Sequence, residues 1–204
     1  MLIFETPNGR EYIFIHIPKN CGTYLRKEIC TKYKVIKNHW GYYDNLDMAH
    51  LPYILYQKYN SNIQLKHPKT FIAWVRNPYN RLISAFLHLN KKYLNSPDIH
   101  DRFKNFVDNE LSTCEFLDFN PRGIHYYPQH RFLTDENNQI PENITIYHID
   151  NYDLLDPKPE PFFEGVVNSG YTLDLFYNKP QILTVNRLYQ RDFDLFGYKM
   201  YIPK

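Results

Sequence analysis

Apolar runs followed by helical repeats recur along the chain and predict an α/β fold. Residues 12–17 are β-branched or aromatic, which is typical of a buried strand. Pro18 ends this run, and residues 24–32 then carry apolar side chains at helical spacing. The first unit is therefore predicted to be a strand, a short loop and a helix.

A second unit of the same kind begins at residue 70. Residues 70–75 form another apolar run, and Asn77 and Pro78 follow as a typical N-cap and first helical residue. An amphipathic repeat then predicts a helix to about Asn90. Two further strands are predicted at residues 35–36 and 144–147, and two further helices at residues 47–59 and 182–196, the last of them ended by Gly197.

The alternation of strands and helices predicts an α/β fold with a parallel β-sheet flanked by helices on both faces. We expect residues 1–204 to form a single domain, with a Pro-rich connector at residues 156–161. Sheets of this kind bind ligands beyond the carboxyl ends of their strands. Both strand-to-helix turns are therefore expected at the same edge.

Composition narrows the class of ligand. The formal net charge of +2 is too mild for a nucleic-acid binder but is compatible with a small anion held in a local pocket. The three cysteines, Cys21, Cys30 and Cys114, form no disulfide framework or CxxC pair, and no metal-ligand constellation stands out.

Residues 1–7 lack the features of a signal peptide, and no apolar run is long enough to span a bilayer, so we expect a soluble, cytoplasmic protein without a membrane anchor.

The first candidate site is Pro18-Lys19-Asn20-Cys21-Gly22-Thr23-Tyr24, between a strand and a helix. A helix N-terminus offers unpaired N–H groups and a partial positive charge, which together bind anions. Gly22 permits close approach of a phosphate, Thr23 adds a hydroxyl and Lys19 adds a charge. Because Lys19 precedes the glycine, the motif is not a Walker A loop. A generic turn with an incidental lysine is the alternative.

The second candidate site follows the strand at residues 70–75. Arg76 stands just past the strand, where its guanidinium can bind a phosphate through two hydrogen bonds. Ser84 lies about two turns into the helix, and Arg81 lies one turn earlier on roughly the same face. The alternative is that Arg76 caps the sheet and Ser84 is a small packing residue.

Taken together, the two motifs resemble the cofactor-binding signatures of the sulfotransferases that use 3'-phosphoadenosine 5'-phosphosulfate (PAPS). Residues 15–23 are similar to the 5'-phosphosulfate loop, and residues 71–86 to the 3'-phosphate segment. The likeness is greatest to the branch that includes the Golgi carbohydrate sulfotransferases, and it extends more weakly to residues 128–133 and 189–198. The chain departs from that pattern at Cys21, where a small residue such as glycine is usual, and at Tyr24, where serine is usual.

The resemblance implies the sulfotransferase fold, a P-loop-NTPase-like parallel β-sheet flanked by helices, and transfer of a sulfuryl group from PAPS, without a metal, to an acceptor hydroxyl. It favours a hydroxyl on a carbohydrate such as a glycan. It assigns Lys19, Asn20, Cys21, Gly22, Thr23, Tyr24, Arg76 and Ser84 to the cofactor, with Lys19 also neutralising charge on the leaving group.

The acceptor also needs a general base, for which histidine is the usual residue. His50 is favoured over His39, and His125 is the third choice, whereas His16 lies in a strand and is interpreted as structural. Two other functions remain open: a catalytically silent module that binds PAPS or 3',5'-ADP, and a nucleotide-dependent kinase, for which the Walker A loop is missing.

Overall fold

The computed structural model describes residues 1–116, 123–150 and 172–203. Its strands are β1 (Leu2–Glu5), β2 (Glu11–Ile15), β3 (Lys34–Asn38), β4 (Tyr42–Tyr43), β5 (Leu46–Asp47), β6 (Phe71–Val75) and β7 (Ile144–His148). Its helices are α1 (Gly22–Lys32), α2 (Tyr56–Asn60), α3 (Pro78–Leu89), α4 (Ile99–Asn109), α5 (Leu173–Phe176), α6 (Lys179–Leu188) and α7 (Gln190–Phe196). The Pro-rich connector at residues 156–161 lies outside the described residues.

Five strands form one sheet in the order β3-β1-β2-β6-β7. Strands β2, β6 and β7 are parallel, with Ile13 opposite Phe71 and Phe71 opposite Ile144. Their carboxyl ends therefore meet at one edge, as predicted. Strand β1 was not predicted from the sequence, and it pairs antiparallel with both β2 and β3. Four of the five strands run in the same direction, so the sheet is mostly rather than wholly parallel.

Helices cover both faces of the sheet, which confirms the α/β prediction. Side chains alternate along a strand, so Ile13 and Ile15 pack into one apolar cluster while Phe14 packs into the other. Leu25 of α1 belongs to the cluster around Phe14, and Phe86 of α3 belongs to the opposite one. Strand β6 lies between the two clusters and is buried at every position, which explains its uninterrupted apolar sequence.

Two of the predicted helices are interrupted. The helix expected over residues 47–59 is replaced by two 3₁₀ turns and the short α2, because Pro52 disfavours helical geometry at Leu51, which is extended at ψ 126°. The helix expected over residues 182–196 is divided into α6 and α7 at Tyr189, where φ is −112° and ψ is 17°. Gly197 ends α7 in a left-handed conformation, as predicted.

The helices of residues 1–116, 123–150 and 172–203 are short or polar: none of them is both long enough and apolar enough to cross a membrane.

Candidate active site

The turn after β2 is strained and tightly anchored. Lys19 and Cys21 have φ values of 70° and 55°, in the left-handed region that glycine adopts most easily. Arg81 Nε donates to the Pro18 carbonyl at 3.0 Å, and Asn20 Nδ2 donates to the Trp74 carbonyl at 2.7 Å. These bonds to neighbouring elements hold the turn in a conformation that costs free energy locally.

The N-terminus of α1 has no side-chain cap. Cys21 occupies the N-cap position but accepts no hydrogen bond from the helix through its side chain. The first-turn amides of an α-helix have no carbonyl partner within the helix. Those of Gly22 and Thr23 are therefore suited to bind an anion, and both residues line the adjacent cleft.

Gly22 is also required by its neighbour His16. A Cβ atom at position 22 would lie 1.8 Å from His16 Cδ2 and 1.9 Å from His16 Nε2, which is a severe overlap. The buried imidazole therefore rests directly on the backbone of the turn. Gly22, which was predicted because it permits close approach of a phosphate, is therefore also required by the steric contact with His16.

The turn after β6 lies beside the first one. Asn77 caps α3 by accepting a hydrogen bond from the Tyr79 amide at 3.0 Å, as the sequence predicts. Arg76 is buried, and its Nη1 approaches the Lys19 carbonyl at 3.4 Å. The two predicted phosphate-binding turns are thus in direct contact at the same edge of the sheet.

A fully buried glutamine joins the two turns. Gln129 Oε1 accepts hydrogen bonds from Asn20 Nδ2 at 2.7 Å and from the Arg76 amide at 2.9 Å, and its Nε2 donates to the Arg76 carbonyl at 2.8 Å. The Gln129 backbone N–H donates to Asp192 Oδ2 at 2.7 Å. The Gln129 side chain therefore fixes the two turns relative to each other, and its backbone connects them to α7.

Replacing Gln129 with leucine should lower the free energy of unfolding by about 3 kcal/mol or more. Leucine leaves the Arg76 amide and carbonyl buried without their partner, and each such group costs about 1–3 kcal/mol. Urea denaturation measures the change. The matched control is Gln57→Leu at an exposed position, which should stay within about 0.5 kcal/mol of the parent. A Gln129 variant as stable as this control would contradict the joining role.

A cleft of about 420 Å³ opens where the two turns meet. None of the described residues that line it is acidic, whereas Lys19 and Arg76 bring positive charge. The full lining consists of His16, Pro18, Lys19, Cys21, Gly22, Thr23, Tyr24, Trp40, His50, Arg76, Ser84, His88 and His125. This composition favours an anionic ligand.

Lys19 lies in a strongly cationic environment. Burial lowers the pKa of its ammonium group to about 8, and the positive charges of Lys91, Arg76 and Arg81 act in the same direction. Holding the partly desolvated Lys19 ammonium group among like charges is unfavourable in the free protein. A bound polyanion would relieve that cost, which adds to the case for an anion site.

His50 is held in one tautomer at the wall of the cleft. Its Nδ1 lies 2.7 Å from the His16 carbonyl, which can only accept, so Nδ1 carries the proton. Burial lowers the pKa of His50 to about 3, against the opposing effect of that hydrogen bond. At neutral pH the ring is therefore uncharged and Nε2 has a lone pair. The carboxylate of Asp47 lies 3.8 Å from Nε2, where it can stabilise the ring when Nε2 takes up a proton.

The other candidate histidines differ in position. His125 lines the cleft, and its ring centre lies 6.0 Å from that of His50 and 5.2 Å from that of His88. Burial lowers the pKa of His125 to about 4. His39 lies outside the described lining, and its Nε2 is bonded to Asn60 Oδ1 at 2.7 Å.

The structure brings almost all of the predicted site residues into this cleft. Asn20 is the exception, because its side chain is buried beneath the turn, where Nδ2 donates to the Trp74 carbonyl and to Gln129. Arg81, three residues before Ser84 on α3, is buried and bonded to the Pro18 and Tyr127 carbonyls, so its guanidinium anchors the turn.

Three residues of the site were not predicted: Trp40, His88 and Gln129. Gln129 lies in a segment that was recognised only as a weak likeness, and nothing in its sequence context indicates that it joins two distant turns. Trp40 and His88 sit in no motif. Only the folded structure identifies these two residues, because it brings them to the cleft from different parts of the chain.

Comparison with known proteins gives one match. Residues 9–153 fit the model of a family described as "Sulfotransferase family". This range contains both turns, His50 and Gln129. No curated protein and no solved structure matches the chain.

Proposed function

The chain belongs to the sulfotransferase family, and on that premise we propose that it transfers a sulfuryl group from PAPS to a carbohydrate hydroxyl, with His50 as the general base. The observation that carries the proposal is the cleft between the two turns. It joins an uncapped helix N-terminus to the half-buried Lys19 and the buried Arg76, with no acidic residue in its described lining. PAPS carries anionic groups at both ends of its ribose.

The residues that line the cleft form two groups, one for each end of the ribose. Lys19 and the first-turn amides of α1 would hold the 5'-phosphosulfate, and Arg76 with Ser84 would hold the 3'-phosphate. The contact between Arg76 and the Lys19 backbone keeps the two groups of ligands close enough for one nucleotide. The 3' contact is what would distinguish PAPS from ATP.

The chemistry follows from the protonation states. When bound, PAPS supplies the sulfuryl group and 3',5'-ADP is the leaving group. The oxygen of the acceptor hydroxyl forms a bond to sulfur while His50 Nε2 takes the proton of that hydroxyl. At the same time the bond from sulfur to the 5'-phosphate oxygen breaks. The Lys19 ammonium group neutralises the charge that develops on that phosphate oxygen.

The two departures from the family pattern fit this arrangement. Cys21 has the left-handed backbone that a glycine would adopt without strain, so the turn keeps its shape despite the substitution. Burial raises the pKa of its thiol, which therefore stays uncharged beside the phosphate. Tyr24 is partly exposed and lines the cleft, where its ring can contact a bound nucleotide.

Thermal unfolding with nucleotides tests the donor site. At 100 times its Kd, 3',5'-ADP should stabilise the protein by about 2.7 kcal/mol and raise Tm by about 5–10 °C, because it binds only the folded state. ATP and 5'-ADP, which lack the 3'-phosphate, should give a smaller shift. Stabilisation by ATP alone would overturn the proposal in favour of a kinase.

Transfer itself is tested with PAPS labelled in its sulfate. Label should appear in a glycan acceptor, and a panel of glycans, peptides and phenols identifies the acceptor. Binding of 3',5'-ADP without transfer to any member of the panel would instead support the silent binding module. The expected cytoplasmic location and single-domain organisation stay predictions of the sequence.

A further inference from the structure

Three exposed aromatic residues stand within four positions of the chain, and the first of them lines the cleft. Trp40, Tyr42 and Tyr43, which we call the aromatic rim, are 67%, 68% and 65% exposed. Large apolar side chains that cluster on the surface mark sites of interaction more often than isolated ones do. Trp40 lines the same cleft as His50 and Lys19, so the rim continues the proposed transfer site outward.

The backbone on both sides of Trp40 is fixed. On one side, the His39 amide donates to the Met1 carbonyl at 3.1 Å, and Arg26 Nη2 donates to the His39 carbonyl at 2.6 Å. On the other, Gly41 has a left-handed φ of 78°, and its carbonyl accepts from the Met48 amide at 2.9 Å. The indole is thus exposed from a rigid support rather than from a loose loop.

The indole is also supported on one face. The buried guanidinium of Arg26 lies over the Trp40 ring, with Cζ 5.1 Å from the ring centre. Arg26 in turn donates to the Asn38 side chain and to the His39 carbonyl. The remaining exposed surface of the indole is available to a ligand that enters the cleft beside His50.

We propose that Trp40 is the platform on which the acceptor stacks, and that the acceptor presents the C–H face of a pyranose ring to the indole; this inference rests on the proposed sulfuryl transfer. A pyranose has a flat apolar face and hydroxyls around its edge. Such a ring can lie on Trp40 while one hydroxyl reaches His50 and the others remain hydrated.

The surroundings of Trp40 favour a sugar chain over a phenol. A compact aromatic acceptor is best held in an enclosed apolar pocket, but Tyr24 is the only other aromatic carbocycle among the described lining residues, and most of the rest are polar or charged. Trp40 is 67% exposed, so the platform is open on its outer side, where further rings of a chain can extend into solvent. This arrangement fits an oligosaccharide.

Tryptophan fluorescence tests the platform without relying on activity. The chain has two tryptophans, and Trp74 is only 1% exposed, so acrylamide quenching reports mainly on Trp40. With 3',5'-ADP present, we expect N-acetylchitotetraose or an unsulfated uronic acid–hexosamine tetrasaccharide to protect Trp40 from quenching. The same concentration of p-cresol should not. Protection by p-cresol and by neither glycan would overturn the inference.

Kinetics of the Trp40 variants give the second readout. Trp40→Ala should raise KM for the glycan acceptor about tenfold, equivalent to ~1.4 kcal/mol, while the Tm shift with 3',5'-ADP is kept. Trp40→Phe should recover part of the loss, and Leu183→Ala, which removes an exposed apolar side chain on α6, should change nothing. An unchanged KM in Trp40→Ala would refute the platform.

Failure of the transfer proposal has a different signature. It would appear as the absence of labelled sulfate on any acceptor although 3',5'-ADP still stabilises the protein. The quenching experiment then decides on the platform by itself, since protection by a glycan supports it and lack of protection overturns it.

Discussion

Replacing His50 with glutamine is expected to lower kcat about 10²- to 10⁴-fold, the usual range for loss of a general base. Glutamine keeps a polar group near the His16 carbonyl but cannot take up the proton of the acceptor hydroxyl. The Tm shift with 3',5'-ADP should persist, because His50 contacts the acceptor side of the cleft in this scheme. Single-turnover transfer of labelled sulfate measures the change directly.

Two further histidine variants make this result interpretable. His67 is exposed, so His67→Gln should leave kcat unchanged. His125→Gln should lower kcat less than His50→Gln does, and a larger loss at His125 would assign the base to His125 instead.

Because burial lowers the pKa of His50 to about 3, the acid limb of kcat/KM should lie below pH 6.5, the pH at which a general base with the ordinary pKa of histidine would be half protonated.

Replacing Lys19 with methionine is expected to lower kcat about 10²- to 10³-fold, comparable to the loss of one charge-stabilising donor in other transfer enzymes. Methionine has a side chain of similar length and the same left-handed backbone strain, so the main change is the loss of charge. Lys27→Met, at an exposed position on α1, is the matched control and should retain full activity. A Lys19→Met enzyme with parental kcat would remove Lys19 from the mechanism.

The pH dependence adds a distinctive test of Lys19. Its ammonium group must be charged to neutralise the leaving phosphate, so activity is lost as pH rises through its pKa. Since burial and neighbouring cations lower that pKa to about 8, kcat/KM should decline above about pH 8. Arginine stays protonated over this range, so Lys19→Arg should abolish the decline even if it is less active. A decline that persists in Lys19→Arg must come from another group.

The elements that the sequence predicted best are those with continuous apolar runs and explicit caps. Strands β2, β6 and β7 and helix α3 are of this kind. Strand β1 was missed because four residues at the start of the chain give too short a pattern, and its pairing with β2 and β3 is a property of the fold. The helix expected over residues 182–196 failed at Tyr189, whose hydroxyl donates to the Tyr126 carbonyl at 2.6 Å and so belongs to a tertiary contact.

The residues of the candidate site also differ in whether local sequence predicts them. Lys19, Gly22 and Arg76 could be predicted because each follows a recognisable strand and each has a local reason to bind phosphate. Gln129 could not, because its three side-chain hydrogen bonds join positions 53 and 109 residues away in the sequence. The exposure of Trp40 depends on backbone bonds to Met1, Arg26 and Met48, and local sequence reports none of these.

The contact between His16 and Gly22 constrains how this site can vary in evolution. With an imidazole at position 16, even alanine at position 22 would overlap the ring. The two positions should therefore covary among relatives that share the turn. Those that carry a β-carbon at the position of Gly22 should have exchanged the histidine for a smaller residue, and alignments that pair both bulky residues would imply a different backbone for the turn.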